Sequence, residues 1–289
     1  AGVAEAIEPA LRPPGDVDGF LLQLDELVGL EEVKRIVEGL AAEARLAADR
    51  AYHGLSSGNV SRHLIFLGPP GTGKTTVAGL VGGIYAALGL LDSGHIVACR
   101  PVHLAGRGGA DTEGRVAAMV EQAMGGVLLI QEAHRLAGSP GVVAELLRWM
   151  AERRDKFMVV CTGRPEEMAF FLAGDPGFRA EFGTMIEFPP LSARELVRVF
   201  QLQAERDLYR LEEELRVELL ARFERMRAGT GFEYARTVRA MFEQTVARQG
   251  ARLAGVEVDA AAVARLIARD LPDSTLERML GNLHQDPLL

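Results

Sequence analysis

Apolar positions along this chain follow two rhythms. Leu24, Leu27, Val28, Leu30, Val33, Ile36, Val37 and Leu40 recur at helical spacing with charged residues between them. Val28-Gly29 interrupts them as a turn, ahead of a helix that starts near Glu31. Short, mostly apolar runs then take over, His63-Leu64-Ile65-Phe66-Leu67, Ile96-Val97-Ala98-Cys99, Val127-Leu128-Leu129-Ile130 and Phe157-Met158-Val159-Val160-Cys161, and Thr184-Met185-Ile186-Glu187-Phe188 reads as a last short strand. Helical stretches over 112–124 and 142–153 separate several of them. Runs that are apolar throughout predict strands covered on both faces, so the pattern predicts a parallel sheet with helices on each side. Pro189-Pro190 stops the last strand, because proline cannot donate to a ladder.

Beyond Leu191 the strand signals end. Ser192-Ala193-Arg194-Glu195 is a capping-box sequence at the head of a helix running through Phe200. Further helices are predicted over 211–227, 235–249 and 259–270, the last with Asp259 as N-cap. The expected organisation is a linker over 1–20, where Leu11-Arg12-Pro13-Pro14-Gly15-Asp16 reads as a turn, an α/β domain over 21–190, an all-helical domain over 191–272 and a tail over 273–289. Gly54-Leu55-Ser56-Ser57-Gly58 reads as a loop.

Between the first strand and its following helix lies Gly68-Pro69-Pro70-Gly71-Thr72-Gly73-Lys74-Thr75-Thr76, which matches G-x-x-x-x-G-K-[ST] without departure. The order strand, glycine-rich loop, helix is the context that motif requires. Glycine lets backbone N–H groups turn inward and close on phosphate oxygens with no Cβ in the way. Pro70, Gly71, Thr72, Gly73, Lys74, Thr75 and Thr76 are therefore the expected nucleotide-binding residues. Lys74 reaches the β- and γ-phosphates, Thr75 offers its hydroxyl to Mg²⁺, and the helix adds its positive end. A second group is needed beside such a loop to hold the metal and orient water. The run Val127-Leu128-Leu129-Ile130 leads into Gln131-Glu132, which supplies a candidate carboxylate.

Composition narrows the alternatives. The 289 residues are 48% hydrophobic and 25% charged, as in a folded protein with a sizeable core. A formal net charge of −8 disfavours a nucleic-acid or anionic-membrane surface. No apolar run reaches the roughly 18 residues of a membrane span, and the chain starts at Ala1 without a signal-peptide pattern. Cys99 and Cys161 both fall in apolar runs, which points to reduced thiols in a cytoplasmic protein rather than a disulfide framework. The six histidines show no metal-ligand spacing with the cysteines. His134, two residues after Glu132, either approaches the site, supports it from behind or faces solvent. Trp149 and Met150 read as core.

On these motifs the chain resembles the AAA+ ATPases, within them the group of CbbX-type Rubisco activases, stage V sporulation K proteins and type VII secretion EccA ATPases. The resemblance rests on Leu24-Asp25-Glu26-Leu27-Val28-Gly29-Leu30, the phosphate loop, Ala123-Met124-Gly125-Gly126-Val127-Leu128, and Asp175-Pro176-Gly177-Phe178-Arg179. It implies a P-loop NTPase sheet followed by a helical lid, and a ring, usually of six self or related subunits, with ATP and Mg²⁺ at each interface. It further implies that Val28 and Gly29 line the adenine pocket, that Glu132 orients water, and that Arg179 is the finger inserted into a neighbour's site. In the lid, Arg236 matches the sensor arginine, with Arg239 as its substitute. Three positions depart from the family. Gln131 stands where an aspartate is expected beside the metal. Gly163 falls where a polar sensor follows the fourth strand, leaving Thr162 as a possible stand-in. Ala105-Gly106-Arg107-Gly108-Gly109 replaces a pore loop that elsewhere carries an aromatic.

Two functions follow. One is a ring-forming ATP-binding module that remodels or regulates a protein client, with impaired hydrolysis. The other is a non-hydrolysing nucleotide-binding structural or regulatory subunit of a larger assembly. A DNA remodeller lined by Arg100, Arg107 and Arg115 is a third, which the acidic charge opposes.

Overall fold

A computed structural model describes residues 16–55, 61–106, 108–229, 231–255, 257 and 259–273. The N-terminal stretch 1–15, most of the loop around Ser56, Arg107 and the tail beyond 273 lie outside the described residues. Two compact units are present: 16–68 with 73–188, and 189–273 with the loop residues Pro69–Thr72.

The first unit opens with α1 (Val17–Asp25) and α2 (Glu31–Tyr52). A sheet follows, built from β1 (His63–Leu67), β2 (Ile96–Cys99), β3 (Val127–Ile130), β4 (Met158–Gly163) and β5 (Phe182–Glu187). The helices between them are α3 (Lys74–Ala87), α4 (Pro101–Leu104), α5 (Gly109–Gln122), α6 (Pro140–Glu152), α7 (Pro165–Gly174) and α8 (Pro176–Ala180). All pairings are parallel and the spatial order is β2-β3-β4-β1-β5, which puts the phosphate-loop strand between β4 and β5.

The apolar runs split by parity, as strand geometry demands. Leu64, Phe66, Leu129 and Val160 face a layer made with Val33 and Val37 of α2 and Leu80 and Ile84 of α3. Ile65, Leu128, Ile130, Val159 and Cys161 face the opposite layer, with Val116 of α5, Leu146 and Met150 of α6, and Phe171 of α7. Met150 is fully buried, whereas Trp149 packs only partly buried at the edge of that layer, with Arg148 5.1 Å above its ring. Both thiols are free and buried in the strands; burial pushes Cys99 up to about 12 and raises Cys161 as well, so neither is poised as a nucleophile.

Helix α1 corrects the expectation that residues up to 20 form only a linker. Asp16 accepts a hydrogen bond from Gly19 N at 2.9 Å and caps it, while Val17, Phe20 and Leu24 are buried at helical spacing.

The second unit contains α9 (Ala193–Arg206), α10 (Glu213–Arg227), α11 (Tyr234–Leu253) and the short α12 (Ala260–Val263). The capping box forms as expected: Ser192 Oγ accepts from Glu195 N at 3.2 Å and Glu195 Oε2 accepts from Ser192 N at 2.6 Å. Its core gathers Leu196, Phe200, Leu215, Leu219, Phe223, Val238 and Phe242. The unit is not all-helical. In place of a helix over 259–270, α12 stops after one turn and a two-residue strand β7 (Arg265–Leu266) pairs in parallel with β6 (Arg210–Leu211). The cause is competition for carbonyls. Gln249 Nε2 donates to Val263 O at 2.6 Å and Arg265 O at 3.0 Å, and Arg210 N donates to Ala264 O at 2.7 Å. Those acceptors are what the next helical turn would use.

Candidate nucleotide site

Parallel strands end together, so the C-terminal edge of β1, β4 and β3 carries Gly68, Gly163 and Gln131-Glu132 side by side. At the end of β1 the chain turns through Gly68, Gly71 and Gly73 at φ 148°, 77° and 95°, values open to glycine. Gly68 has a second reason to lack a side chain, since a Cβ there would stand 2.3 Å from Phe188 O. Thr72 is buried and its hydroxyl donates to Pro69 O at 2.9 Å, bracing the loop from within. Helix α3 starts at Lys74 with Gly73 as N-cap and no side chain capping it. Its first N–H groups are therefore left for an anion. Lys74 Nζ donates to Gly68 O at 2.8 Å, which holds the ammonium across the loop. Thr75 is half-buried and Thr76 exposed.

The Val28-Gly29-Leu30 turn abuts this loop. Gly29 and Leu30 both adopt φ 65°, unusual for leucine, and a Cβ on Gly73 would stand 3.5 Å from Leu30 Cδ1. Val28 and Gly29 are half-buried beside it.

Gln131 N donates to Cys99 O at 2.8 Å, extending the β2–β3 ladder by one residue. Glu132 then adopts φ 53°, a left-handed conformation that costs a non-glycine residue about 1–3 kcal/mol and that clusters at functional sites. Its carboxylate remains 44% exposed, 3.3 Å from Arg135 Nε. Thr162 is buried at the end of β4, opposite Phe66, and Gly163 pairs with Leu67. Gly68 N donates to Gly163 O at 3.0 Å, which ties the end of β4 directly to the first loop glycine.

Arg179 lies on α8, whose N-cap Asp175 accepts from Phe178 N at 2.8 Å. The guanidinium donates to Phe182 O at 3.3 Å and lines a cavity of about 320 Å³ with Leu67, Leu172 and Met185. No carboxylate pairs with it among the described residues, so a surface salt bridge does not account for it. Arg236 and Arg239 of α11 each pair within the helical unit, Arg236 with Glu233 at 2.9 Å and Arg239 with Glu243 at 3.2 Å. Gly108 has open space where a side chain would grow, and Arg107 lies outside the described residues.

Sequence reasoning left His134 open among three places. The 3-10 turn Ala133–Gly138 brings its ring against Gly163, with Nδ1 3.3 Å from where a Cβ would be.

The family model for the AAA domain, "ATPase family associated with various cellular activities", matches residues 64–169, and the AAA lid domain matches 192–280. Protein CfxQ of Xanthobacter flavus is 33% identical over 272 residues, covering 91% of this chain and 86% of CfxQ. The chain belongs to the AAA ATPases. Among other relatives of this AAA ATPase, stage V sporulation protein K of Bacillus subtilis is 29% identical, covering 80% of this chain and 74% of that protein. ESX-3 secretion system protein EccA3 of Mycobacterium tuberculosis is 36% identical over 71% of this chain, which spans 34% of EccA3's length. The RuvB Holliday junction branch migration motor of Thermotoga maritima superposes with a TM-score of 0.56 at 22% identity, covering 84% of this chain and 71% of RuvB. Katanin superposes at 0.55 and 20% identity, covering 93% of each chain. These structural likenesses establish the fold.

Membership in this family implies a bound nucleotide, usually with Mg²⁺, and the uncapped start of α3, Lys74 and Thr75 fit a phosphate–metal pair. No group of three metal-binding side chains occurs among the described residues. No helix among the described residues is long and apolar enough to cross a membrane.

Proposed function

We propose that this AAA ATPase binds ATP with Mg²⁺ at Pro70–Thr76, assembles through its nucleotide interfaces into a ring of six self or related subunits, and acts on a protein client with slowed hydrolysis. One observation carries the reading: a phosphate loop whose helix start is uncapped, beside a Glu132 held in a costly backbone conformation. Such strain persists where the surroundings over-determine it. Lys74 neutralises phosphate charge, Glu132 takes the proton side of an attacking water, and Thr75 with Gln131 faces the metal. Mg²⁺, when bound, offsets the charge that gathers on the transferring phosphoryl group. Val28 and Gly29 border the base. Arg179, free of carboxylates among the described residues, serves a neighbour's nucleotide, and Arg236, with Arg239 behind it, serves from the lid.

Gln131 favours the second reading, a nucleotide-binding subunit that does not hydrolyse. A carboxamide accepts a hydrogen bond from a metal-bound water but brings no charge. The stretch 105–109 lacks an aromatic to grip a polypeptide, which points the same way. The deciding experiment measures ATP turnover together with sedimentation, with and without nucleotide and Mg²⁺. Nucleotide-dependent assembly with slow turnover supports the first reading. Assembly with turnover at background leaves the second, and failure to bind nucleotide ends both.

A further inference from the structure

The edge of the sheet holds an imidazole with nothing to do. His134 Nδ1 is buried and has no hydrogen-bond partner among the described residues. The residue as a whole is half-buried, while Nδ1 itself is buried. Its inner neighbour is the gap left by Gly163. A Cβ there would lie 3.3 Å from Nδ1, and would collide with Met168 at 2.4 Å from Cγ and 2.7 Å from Sδ. Met168 is fully buried, so the wall Nδ1 faces is apolar. Any side chain at 163 would displace either Met168 or the imidazole, and glycine is what admits both.

The place matters. Gly163 O accepts from Gly68 N, so the His134 ring stands beside the residue bonded to the first glycine of the phosphate loop. On its other side the chain leads back through one alanine to Glu132. A buried polar atom is nearly always satisfied, so an orphaned one beside a functional site asks for an explanation: a strain reservoir, a bound water or ion, or a working role. This edge also carries the phosphate loop, whose Gly68 is bonded to Gly163, so a working role there would face phosphate or the water beside it. The missing bond has a second consequence. Working histidines are usually fixed in place by a partner on the far nitrogen. His134 has none, so its ring turns about χ2 without breaking a hydrogen bond.

We propose that His134 reads the terminal phosphate of bound ATP, turning a ring N–H onto a γ-phosphate oxygen, and so distinguishes ATP from ADP. It fills the role that Gly163 cannot. The inference rests on the assignment of the phosphate loop to ATP, and it does not require that the protein hydrolyse.

The test uses the full chain and two nucleotides, ADP and ATPγS, each with Mg²⁺, titrated by calorimetry against the unmodified protein, His134→Phe and His134→Gln. Phenylalanine keeps the ring and its packing and removes both nitrogens; glutamine restores a donor. A charge-assisted hydrogen bond that only ATPγS can make should weaken ATPγS binding roughly 10-fold in His134→Phe. ADP affinity should stay within about twofold, and His134→Gln should recover part of the loss. A structural role predicts instead that both nucleotides weaken together, and that result overturns the proposal, as does an unchanged ratio of the two affinities. If the unmodified protein binds neither nucleotide, the phosphate-loop assignment fails first and takes this inference with it. Should His134→Phe not fold, His134→Leu takes its place and is read in the same way: ATPγS binding weakened roughly 10-fold with ADP spared supports the proposal, and a joint loss or an unchanged ratio overturns it.

Discussion

The ends of β1 and of β3–β4 lie side by side on one sheet edge and differ in how closely they keep to the family. At β1 every position of the phosphate loop is retained, the glycines take the left-handed turns they are there for, and α3 begins uncapped. At β3 and β4 a glutamine precedes Glu132 where the resemblance leads one to expect an aspartate, Gly163 offers no side chain, and an imidazole whose Nδ1 has no partner among the described residues lies against it. Holding a nucleotide and reacting it are thus separable demands, placed on different strand ends. The first would rest on backbone N–H groups that the glycine turns shape. The second depends on side chains, which can be lost or replaced without disturbing the sheet.

The widest separation of the two demands should come from Arg179. Its loss is expected to spare binding and to lower turnover by roughly 1,000-fold or more, the range for arginine fingers. Since the proposed finger acts in trans, mixing Arg179→Ala subunits with Lys74→Ala subunits should restore part of the activity. Each mixed interface can then join an intact loop to an intact finger. A mixture no more active than its components, beside an active unmodified protein, removes the trans role.

Lys74→Ala attacks the other side of the comparison. ATP at about a hundredfold excess over its Kd should stabilise the unmodified protein by about 2.7 kcal/mol, read as a rise in Tm. The variant should show no such rise. A rise of equal size would detach the nucleotide from this loop.

The far end of β1 provides a control, because it can be perturbed without touching the site. His63 is buried between Phe157 and Phe182, accepts from Val159 N at 3.0 Å, and is lowered to about 4 by burial, with Arg154 and Arg62 adding to it. The folded state keeps this ring neutral while the unfolded chain binds a proton near pH 6.5. Stability is therefore complete above about 6.5 and falls as pH drops toward 4. The loss amounts to about 3 kcal/mol over that window, at about 1.36 kcal/mol per unit. His63→Gln should start less stable at pH 7.5, through the disturbed bond to Val159, and lose less than the unmodified protein between pH 6.5 and 4.5. Parallel curves of Tm against pH for the two proteins would show that His63 is not the titrating group.

What could be read from the sequence divides along the same line. The phosphate loop is legible because its chemistry is local: nine consecutive residues define the turn, the helix start and the cation. Four of the five strands are legible because double-sided burial leaves nearly unbroken apolar runs, whereas β5, at the sheet edge, exposes Met185 and Glu187 and is marked mainly by the prolines that follow it. His134 was not, since its meaning depends on Gly163, a distant residue that parallel pairing brings to the same edge. The early stop of α12 was hidden for a similar reason. Asp259 does cap as its sequence suggests, accepting from Ala262 N at 2.7 Å, but the helix is ended by Gln249 reaching over from α11. Local signals start elements reliably; distant side chains decide where some of them end.

Gln131 tests whether the β3 end is merely weakened or has been given up. On the proposed reading a carboxylate there would sit beside the metal that Thr75 would help hold, and groups around a metal typically change affinity or activity by 10- to 100-fold when altered. Backbone placement argues for the lower end: Gln131 N continues the ladder with Cys99 O, so Gln131→Asp changes one charge at a position the sheet already fixes. Turnover should rise roughly 10-fold and half-saturation by Mg²⁺ should fall, while ADP affinity measured without metal stays the same. The three readouts separate the causes. A rise in turnover with tighter Mg²⁺ use locates the deficit in the missing charge. Background turnover under assembling conditions, with Mg²⁺ use tightened all the same, moves the deficit to the β4 end, where His134 would then have replaced the lost side chain for sensing ATP without restoring its hydrolysis.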